Sequence, residues 1–332
     1  MGAGMRLVRL RFKTGLHLGA DRGGIGREKV QEIVHSDTLF SMLVNSYADI
    51  VSGNAEKIAS LIDSIETLSS GFLFCEYRRK QFEYYLPRPL TDPVNFSGKH
   101  GKENKLRWHK ELKRCLYIDR DNFSKWIRGE KISLVKFKNQ GYQELFTINI
   151  RPQHARDRLT NASNIYHAGE MFFDKTAGIY FLIDGVEQGI LKKILDNAAM
   201  KGLGGRRSLG YGVFDFEIEP PDDKWKPLFE GSGDNFIIVS LYYPMNLNAL
   251  SPMAYSLVLR KGWTFSSVAL GQFKRETCRM FGEGSIFANK PAGGLVNVAP
   301  KAIFSAHPVY RFGKALAFPC TVQETEDDAV LS

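Results

Sequence analysis

The chain has 332 residues, of which 43% are hydrophobic and 24% are charged. This length and composition provide for two domains of ordinary size with real cores, and they exclude a disordered chain. Lys and Arg number 45 against 36 Asp and Glu, so the net charge is +9, and this excess favours a polyanionic partner.

The four cysteines, Cys75, Cys115, Cys278 and Cys320, lie far apart, and no C-x-x-C or Cys/His cluster occurs. The spacing predicts neither a zinc module nor a disulfide framework, and we expect no metal or cofactor. The N-terminus lacks an apolar secretory core, and no apolar run approaches membrane-spanning length. We therefore expect a cytoplasmic protein without a membrane partner.

The first part of the chain alternates strand and helix patterns. The patterns predict a strand over residues 5–13, a glycine-rich loop over 14–28, helices over 35–50 and 54–68, and paired strands over 72–79 and 82–90. Ser36 or Asp37 is predicted to cap the first helix.

Residues 145–173 have apolar ends and a polar, arginine-bearing middle, which predicts a long β-hairpin whose tip projects into solvent. A strand over 178–185, a helix over 186–202 and a strand over 213–218 follow. The order strand, helix, strands, helix, strand is typical of a ferredoxin-like or RRM-like α+β unit.

Residues 219–235 are rich in Pro, Gly and acidic residues, and the domain boundary is predicted there. The remaining residues, 236–325, show several strand patterns and one poorly defined helix. We expect an α+β fold with two ferredoxin-like or RRM-like domains, residues 1–218 and 236–325. The first would carry the hairpin of residues 145–173 as a thumb, and residues 219–235 would form the linker.

The stretch GLGGRRSLGYG, residues 202–212, combines backbone freedom with two arginines and therefore favours a phosphate ligand. A dinucleotide fingerprint is excluded because Arg207 stands where the third glycine is needed and because the loop follows a helix. No Gly-Lys pair is followed by Ser or Thr, which excludes a nucleoside-triphosphate loop. A polynucleotide backbone and an ordinary turn with solvated arginines remain as alternatives.

Four stretches resemble one family. GLGGRRSLGYG before a strand resembles the glycine-rich loop of the RAMP superfamily, the RRM-like proteins of CRISPR ribonucleoproteins. EIVHSDTLFSML is similar to the first helix of the fourth Csm subunit, which binds the crRNA 5′ handle in type III-A interference complexes. RDRLTNAS resembles the thumb of these proteins, and GGLVNVAP with HPVYRFGKALAFP resembles their second glycine-rich region and closing strand.

The resemblance implies a non-catalytic, RNA-binding subunit that functions in antiviral defence. It would hold the repeat-derived 5′ handle and dock on the large polymerase-cyclase subunit and on a RAMP backbone subunit. The residues implied in RNA contact are His17, Arg22 and Arg27 in the first loop; Arg156, Arg158 and Thr160 on the thumb; and Lys201, Gly202, Gly204, Gly205, Arg206, Arg207, Ser208 and Tyr211 in and next to the second loop.

Two other functions stay open at this point. His17 could act as the acid or base of a metal-independent crRNA-processing endoribonuclease, with Lys201 or Tyr211 as its partner group. The protein could also be an RNA-independent scaffold whose basic surface meets an acidic subunit. Asp21 is interpreted as a solvated loop residue. A capping subunit of the related type III-B complexes is a nearby alternative.

Overall fold

The structure is a computed structural model that describes residues 4–19, 30–93, 110–112, 114–132, 141–156, 163–266, 269, 271 and 273–322. Antiparallel β-sheets and a few helices make up the described residues, so the predicted α+β class is confirmed. The tip of the predicted hairpin and part of the first glycine-rich loop lie outside the described residues.

The N-terminal half is organised around one seven-stranded sheet. The described part of this half of the chain contains nine strands: β1 (Arg6–Phe12), β2 (Thr67–Leu68), β3 (Phe72–Arg78), β4 (Gln81–Pro87), β5 (Tyr117–Asp119), β6 (Phe146–Arg156), β7 (Ser163–Phe173), β8 (Ala177–Asp184) and β9 (Phe214–Glu219). All of them except β6 and β7 belong to the sheet, in the order β5-β4-β3-β8-β1-β9, with β2 paired to β8.

The helices with defined bounds are α1 (Ser36–Ile50), α2 (Ala55–Ser64), α3 (Arg120–Ile127), α4 (Gln188–Lys201) and the single turn α5 (Lys226–Phe229), and residues 110–112 and 114 are also helical. Helices α1 and α4 pack against each other. Strand β1 leads through α1 and α2 to β3, and β8 leads through α4 to β9, while β8 and β1 are neighbours. This connectivity is that of the split β-α-β-β-α-β unit.

The start of α1 differs from the prediction. His35 is the N-cap residue, and no side chain caps this helix, so the assignment of Ser36 or Asp37 is wrong. Tertiary contacts use both side chains instead: Ser36 Oγ accepts the Leu241 N–H at 3.1 Å, and Asp37 pairs with arginines of the C-terminal half.

The long hairpin predicted over residues 145–173 is present. Strands β6 and β7 pair residue by residue from Phe146 opposite Phe173 to Arg156 opposite Ser163. Its base is attached to the sheet because the Leu16 N–H donates to the Met171 carbonyl, and the Met171 N–H to the Leu16 carbonyl, both at 2.8 Å. The described outer residues of the hairpin are mostly exposed.

The C-terminal half consists of short strands. They are β10 (Asn235–Ile238), β11 (Pro252–Ala254), β12 (Leu257–Arg260), β13 (Cys278–Phe281), β14 (Ile286–Phe287), β15 (Leu295–Asn297), β16 (Tyr310–Phe312) and β17 (Ala317–Cys320). They form a sheet in the order β11-β14-β10-β17 and the pairs β12–β13 and β15–β16. The described residues of 236–322 contain no α-helix, so the helices of a second RRM-like domain are not found there.

Residues 219–235, predicted as a linker, place Trp225 and Leu228 in the core. Trp225 is fully buried, and its ring centroid lies 5.6 Å from that of Tyr84 and 5.7 Å from that of Tyr180. Phe229 contacts Phe318 of β17, with ring centroids 5.3 Å apart. One hydrophobic cluster therefore joins both halves, and the domain boundary itself stays a prediction.

Candidate nucleic-acid interface

The second glycine-rich loop, residues 202–212, leaves the end of α4 and returns to β9. Gly202 ends the helix with a φ of 81°, in the left-handed region that glycine adopts easily. The Leu203 N–H donates to the Gly212 carbonyl at 2.9 Å, which closes the base of the loop. The outer residues, from Ser208 to Gly210, are exposed.

The loop rests on the backbone that follows β1. The Gly205 N–H donates to the His17 carbonyl at 2.8 Å, and the Gly212 N–H donates to the Gly15 carbonyl at 2.9 Å. At Gly204 the φ is 87°, and an added Cβ would lie 2.6 Å from the His17 carbonyl oxygen. Only glycine permits this approach, which brings the two loops together.

Arg206 is not the free cation that the sequence pattern suggested. Its Nη1 donates to the Glu170 carboxylate at 2.9 Å and its Nη2 to Gln153 at 3.2 Å, both on the hairpin. Glu170 is fully buried, and the guanidinium lies 4.9 Å from the centroid of the Tyr211 ring. A hydrogen bond to Glu170 raises the pKa of Tyr211. This group connects the loop to the hairpin, so the predicted RNA contacts of Arg206 and Tyr211 compete with internal contacts.

Lys201 and His17 also have internal partners. Lys201 forms an ion pair with Asp49 of α1. His17 is buried, and its Nδ1 donates to the Gly169 carbonyl, since the two atoms are 2.7 Å apart and the carbonyl can only accept. The two groups named as catalytic partners of His17 are therefore bonded to carboxylates.

Arg207 has a different environment from Arg206. Its side chain is partly exposed, its guanidinium carbon lies 5.5 Å from the centroid of the Phe265 ring, and within the described residues it pairs with no carboxylate. Over the same residues, the backbone N–H groups of Gly204, Arg206, Arg207 and Ser208 donate to no acceptor. Successive free N–H groups beside a cation are suited to a phosphate oxygen.

A cleft of about 260 Å³ separates this loop from the C-terminal half. The N-terminal half contributes three loop segments and one face of α1 to the cleft. These residues are His17, Leu18, Gly19, Gln31, Thr38, Ser41, Met42, Asn45, Gly202, Leu203, Gly204, Gly205 and Arg207. The C-terminal half contributes Arg260, Trp263, Phe265 and Arg275. No acidic side chain is among these described residues, so the walls are basic.

Arg260 connects the cleft to a buried ion-pair group. Its guanidinium donates to both oxygens of Asp37, at 3.0 and 2.9 Å, and Arg311 of β16 donates to the same carboxylate. Burial alone would raise the pKa of Asp37, but Arg260 and Arg311 outweigh it and hold that pKa far below its usual range. This group fixes α1 against the C-terminal half.

Arg275 lies next to this group without sharing its carboxylate. Its Nε is buried and has no hydrogen-bond partner in the described part of the chain. Burial, together with the charges of Arg311 and Arg260, lowers the pKa of Arg275 to about 10. Three arginines are thus arranged around one carboxylate, which leaves an excess of positive charge at the cleft.

The remaining predicted contacts belong to the hairpin and to the first loop. Arg156 is exposed at the outer end of the described part of β6. Arg22, Arg27, Arg158 and Thr160 lie outside the described residues. Over the chain segments that are described, no group of three His, Cys, Asp or Glu side chains could hold a metal ion.

Sequence reasoning missed the C-terminal wall of the cleft. Arg260, Trp263, Phe265 and Arg275 fall in and after a stretch that reads only as a strand followed by a polar loop. The available signal was the glycine in RKGWTF, next to two cations and two aromatic residues. None of the helices in the described residues is long and apolar enough to cross a membrane.

Comparisons with known proteins show similarity to one family. Residues 231–320 match the family model of the CRISPR Csm4 C-terminal domain. The protein named CRISPR system Cms protein Csm4 from Thermococcus onnurineus is 25% identical over 305 residues, which cover 89% of this chain and 94% of that protein. The protein of the same name from Streptococcus thermophilus is 23% identical, over 77% of this chain and 81% of its own length.

Two solved structures have a similar fold. A chain from a Csm1-Csm4 cassette in complex with pppApA aligns with a TM-score of 0.62 at 20% identity, covering 97% of this chain and 99% of that one. A chain from a Csm3-Csm4 subcomplex of the type III-A CRISPR-Cas interference complex aligns with a TM-score of 0.60 at 17% identity, covering 95% of this chain and 98% of that one.

Proposed function

We propose that this chain, which is similar to Csm4 proteins over most of its length, is a non-catalytic subunit of a type III CRISPR effector complex that holds the 5′ handle of the crRNA. The related chains come from structures with Csm1 and with Csm3. We propose the same two neighbours for this chain, namely the large polymerase-cyclase subunit and a backbone subunit.

The observation that carries the RNA-binding proposal is the cleft next to residues 202–212. Its described walls contain three arginines and no carboxylate, and one rim presents free backbone N–H groups. A single RNA strand has one phosphate per nucleotide, and it is bound by basic grooves combined with aromatic side chains. The net charge of +9 would favour the approach of such a strand.

The loop is prepared for such a ligand in its free form. Gly205 donates to the His17 carbonyl, Gly204 packs closely against it, and Arg206 is fixed to the hairpin by Glu170. Arg207 then projects beside Phe265 without a competing carboxylate in the described residues. Since the main chain is already ordered, little conformational entropy would be lost on binding.

The environment of His17 supports a binding role over a catalytic one. General acid-base catalysis requires a second group within hydrogen-bond reach of the reacting atoms. The His17 Nδ1 is occupied by the Gly169 carbonyl, and Lys201 and Tyr211 are bonded to Asp49 and Glu170. The endoribonuclease alternative therefore has no assembled partner group among the described side chains.

The first experiment identifies the ligand. The protein is purified with its neighbours, and the RNA that remains bound is sequenced. We expect molecules that share one repeat-derived 5′ end. A random population of RNA, or retention of both partner subunits with no RNA after RNase treatment, would favour the scaffolding alternative. Cleavage of repeat RNA that is lost in His17→Ala would establish the nuclease instead.

The second experiment tests the site. Arg207→Ala is compared with Arg79→Ala, which removes an exposed arginine from the turn between β3 and β4. Affinity for a synthetic copy of the shared 5′ segment is measured over a range of salt concentrations. We expect Arg207→Ala to reduce the slope of log K against log salt by about 0.7, the value for one phosphate contact on a single strand. Equal slopes in the two variants would contradict the site.

A further inference from the structure

The C-terminal wall of the cleft is formed by a paired extension of β12 and β13. Beyond β12 and β13 the chain continues to pair, with a bridge between Trp263 and Lys274. The Thr264 N–H donates to the Phe273 carbonyl at 2.7 Å and the Arg275 N–H to the Gly262 carbonyl at 2.9 Å. We call these paired residues, 261–266 and 273–277, the arm.

The arm projects two aromatic side chains that the core does not use. Trp263 is 61% exposed and Phe265 is 49% exposed, although both line the cleft. The Arg207 guanidinium, from the opposite wall, lies 5.5 Å from the centroid of the Phe265 ring. Exposed rings beside cations in a concave basic site are suited to stacking with unpaired bases.

The arm also carries the arginine with the fewest partners in the cleft. Arg260 and Arg311 share the Asp37 carboxylate, whereas the buried Nε of Arg275 has no acceptor among the described residues. Its lowered pKa has the same origin, burial beside two like charges. An anion that entered the cleft would supply the missing acceptor and offset the repulsion.

The size of the cleft limits the ligand. A volume of about 260 Å³ lies below the roughly 300–1,000 Å³ of pockets that enclose drug-sized molecules. The cleft therefore fits one phosphate with its sugar, while a base would remain at the mouth, where the two exposed rings lie. An anion site inside the cleft and aromatic rings at its mouth match the phosphate and the base of one nucleotide in an RNA strand.

We propose that the arm is a nucleotide-binding element in which Arg275, together with Arg207 from the opposite wall, binds one phosphodiester group while Trp263 and Phe265 stack on an adjacent unpaired base. This inference rests on the proposed RNA-binding function and adds a second wall to its site. It assigns to the C-terminal half a direct contact with the RNA.

The proposed phosphate contact of Arg275 is tested with Arg275→Gln. The matched control is Arg279→Gln, which removes an exposed arginine of β13 outside the cleft. The full chain is titrated with a fluorescein-labelled synthetic copy of the shared 5′ segment at several salt concentrations. We expect Arg275→Gln to lower the salt slope by about 0.7. Arg279→Gln is expected to keep the wild-type slope, and Arg275→Lys to keep the slope but bind more weakly because the planar fork is lost.

The stacking contact is tested separately with Trp263→Leu. We expect the affinity to fall by about 5- to 150-fold, the equivalent of one stacked base, with no change in the salt slope because no charge is removed. Thermal unfolding of each variant in the absence of RNA verifies that it is folded. If Arg275→Gln does not fold, the affinities of the folded Arg275→Lys and Trp263→Leu variants decide whether the arm contacts RNA.

The outcomes separate this inference from the proposed function. If the wild type binds the probe and Arg207→Ala lowers the slope, but the arm variants change neither slope nor affinity, the arm does not contact RNA and the inference is overturned alone. If the wild type does not bind the probe, the proposed function fails first. Displacement of the probe by micromolar AMP would also overturn the inference, because the cleft would then be a mononucleotide pocket.

Discussion

Two arginines near the cleft, one from each half of the chain, have opposite surroundings. In the N-terminal half, Arg206 stands in the motif that suggested RNA binding, yet it is paired with the buried carboxylate of Glu170. On the C-terminal wall, Arg275 stands in no recognised motif, yet its buried Nε has no acceptor in the described residues. An arginine in a glycine-rich loop can therefore stabilise the loop by an internal ion pair, and the cations that could bind a ligand lie elsewhere.

This comparison becomes measurable because paired arginines should contribute to stability and unpaired ones to binding. The largest effect is expected at Asp37, which neutralises Arg260 and Arg311. Asp37→Asn leaves two buried guanidinium groups without a counter-charge and should lower the free energy of unfolding by about 3–5 kcal/mol. Urea unfolding at pH 7 measures it. Asp49→Asn, on the same helix but in an exposed pair with Lys201, should cost less than about 1 kcal/mol.

The ion pairs of Asp37 with Arg260 and Arg311 make the stability of the protein depend on pH, and the sign of this dependence is known. The folded-state pKa of Asp37 is held below the unfolded-state value of about 3.9, because its two arginines outweigh the effect of burial. Its contribution to stability is therefore present above about pH 4 and declines as the pH falls below that value. The stability difference between the wild type and Asp37→Asn should shrink between pH 5 and pH 3. A constant difference would show that the ion pair is not formed.

The next largest effect is a change in stability of opposite sign when Arg206 and Arg275 are replaced. Arg206→Ala removes the cation nearest to the buried carboxylate of Glu170, which among the described residues keeps only Tyr211 and, at 4.0 Å, Arg151, and it should destabilise the RNA-free protein by about 1–3 kcal/mol. Arg275→Gln removes a buried cation that is repelled by its neighbours and should stabilise it by about 1 kcal/mol. Thermal and urea unfolding of RNase-treated protein measure both. A loss of stability in both variants would mean that Arg275 has an internal role after all.

The smallest effect concerns the backbone of the loop. Arg206 has a φ of 58°, a left-handed conformation that costs an L-residue about 1–2 kcal/mol. Arg206→Gly and Arg206→Ala remove the same ion pair, but glycine also relieves the backbone. The glycine variant should be the more stable of the two by about 1 kcal/mol, as judged by urea midpoints with equal slopes. The reverse order would argue against the left-handed assignment.

Much of the N-terminal half could be predicted from the sequence, since its elements depend on local periodicity. The helix predicted over residues 54–68, however, ends at Ser64, and β5 and α3 were not predicted. The stripe of Leu39 and Leu43 predicted α1, and Gly202 marked the end of α4. The same reasoning failed at Ser36, because a side chain that can cap a helix was used instead to accept the Leu241 N–H. A local pattern does not reveal such a long-range contact.

The C-terminal half could not be predicted in the same way, because its strands have two to four residues and are held by distant partners. Asp37 meets Arg260 and Arg311 across 223 and 274 positions of sequence. No spacing rule connects such residues. For the same reason the sequence revealed one wall of the cleft and not the other.

The burial of Trp225 has a consequence for how the protein is made. The tryptophan joins a core that also includes Leu316 and Phe318, close to the end of the described chain. As the chain leaves the ribosome, the N-terminal half has to wait for these last residues before its core is complete. A product truncated before Leu316 would expose that surface, so the core of the N-terminal half depends on residues that are synthesised about 90 positions after Trp225.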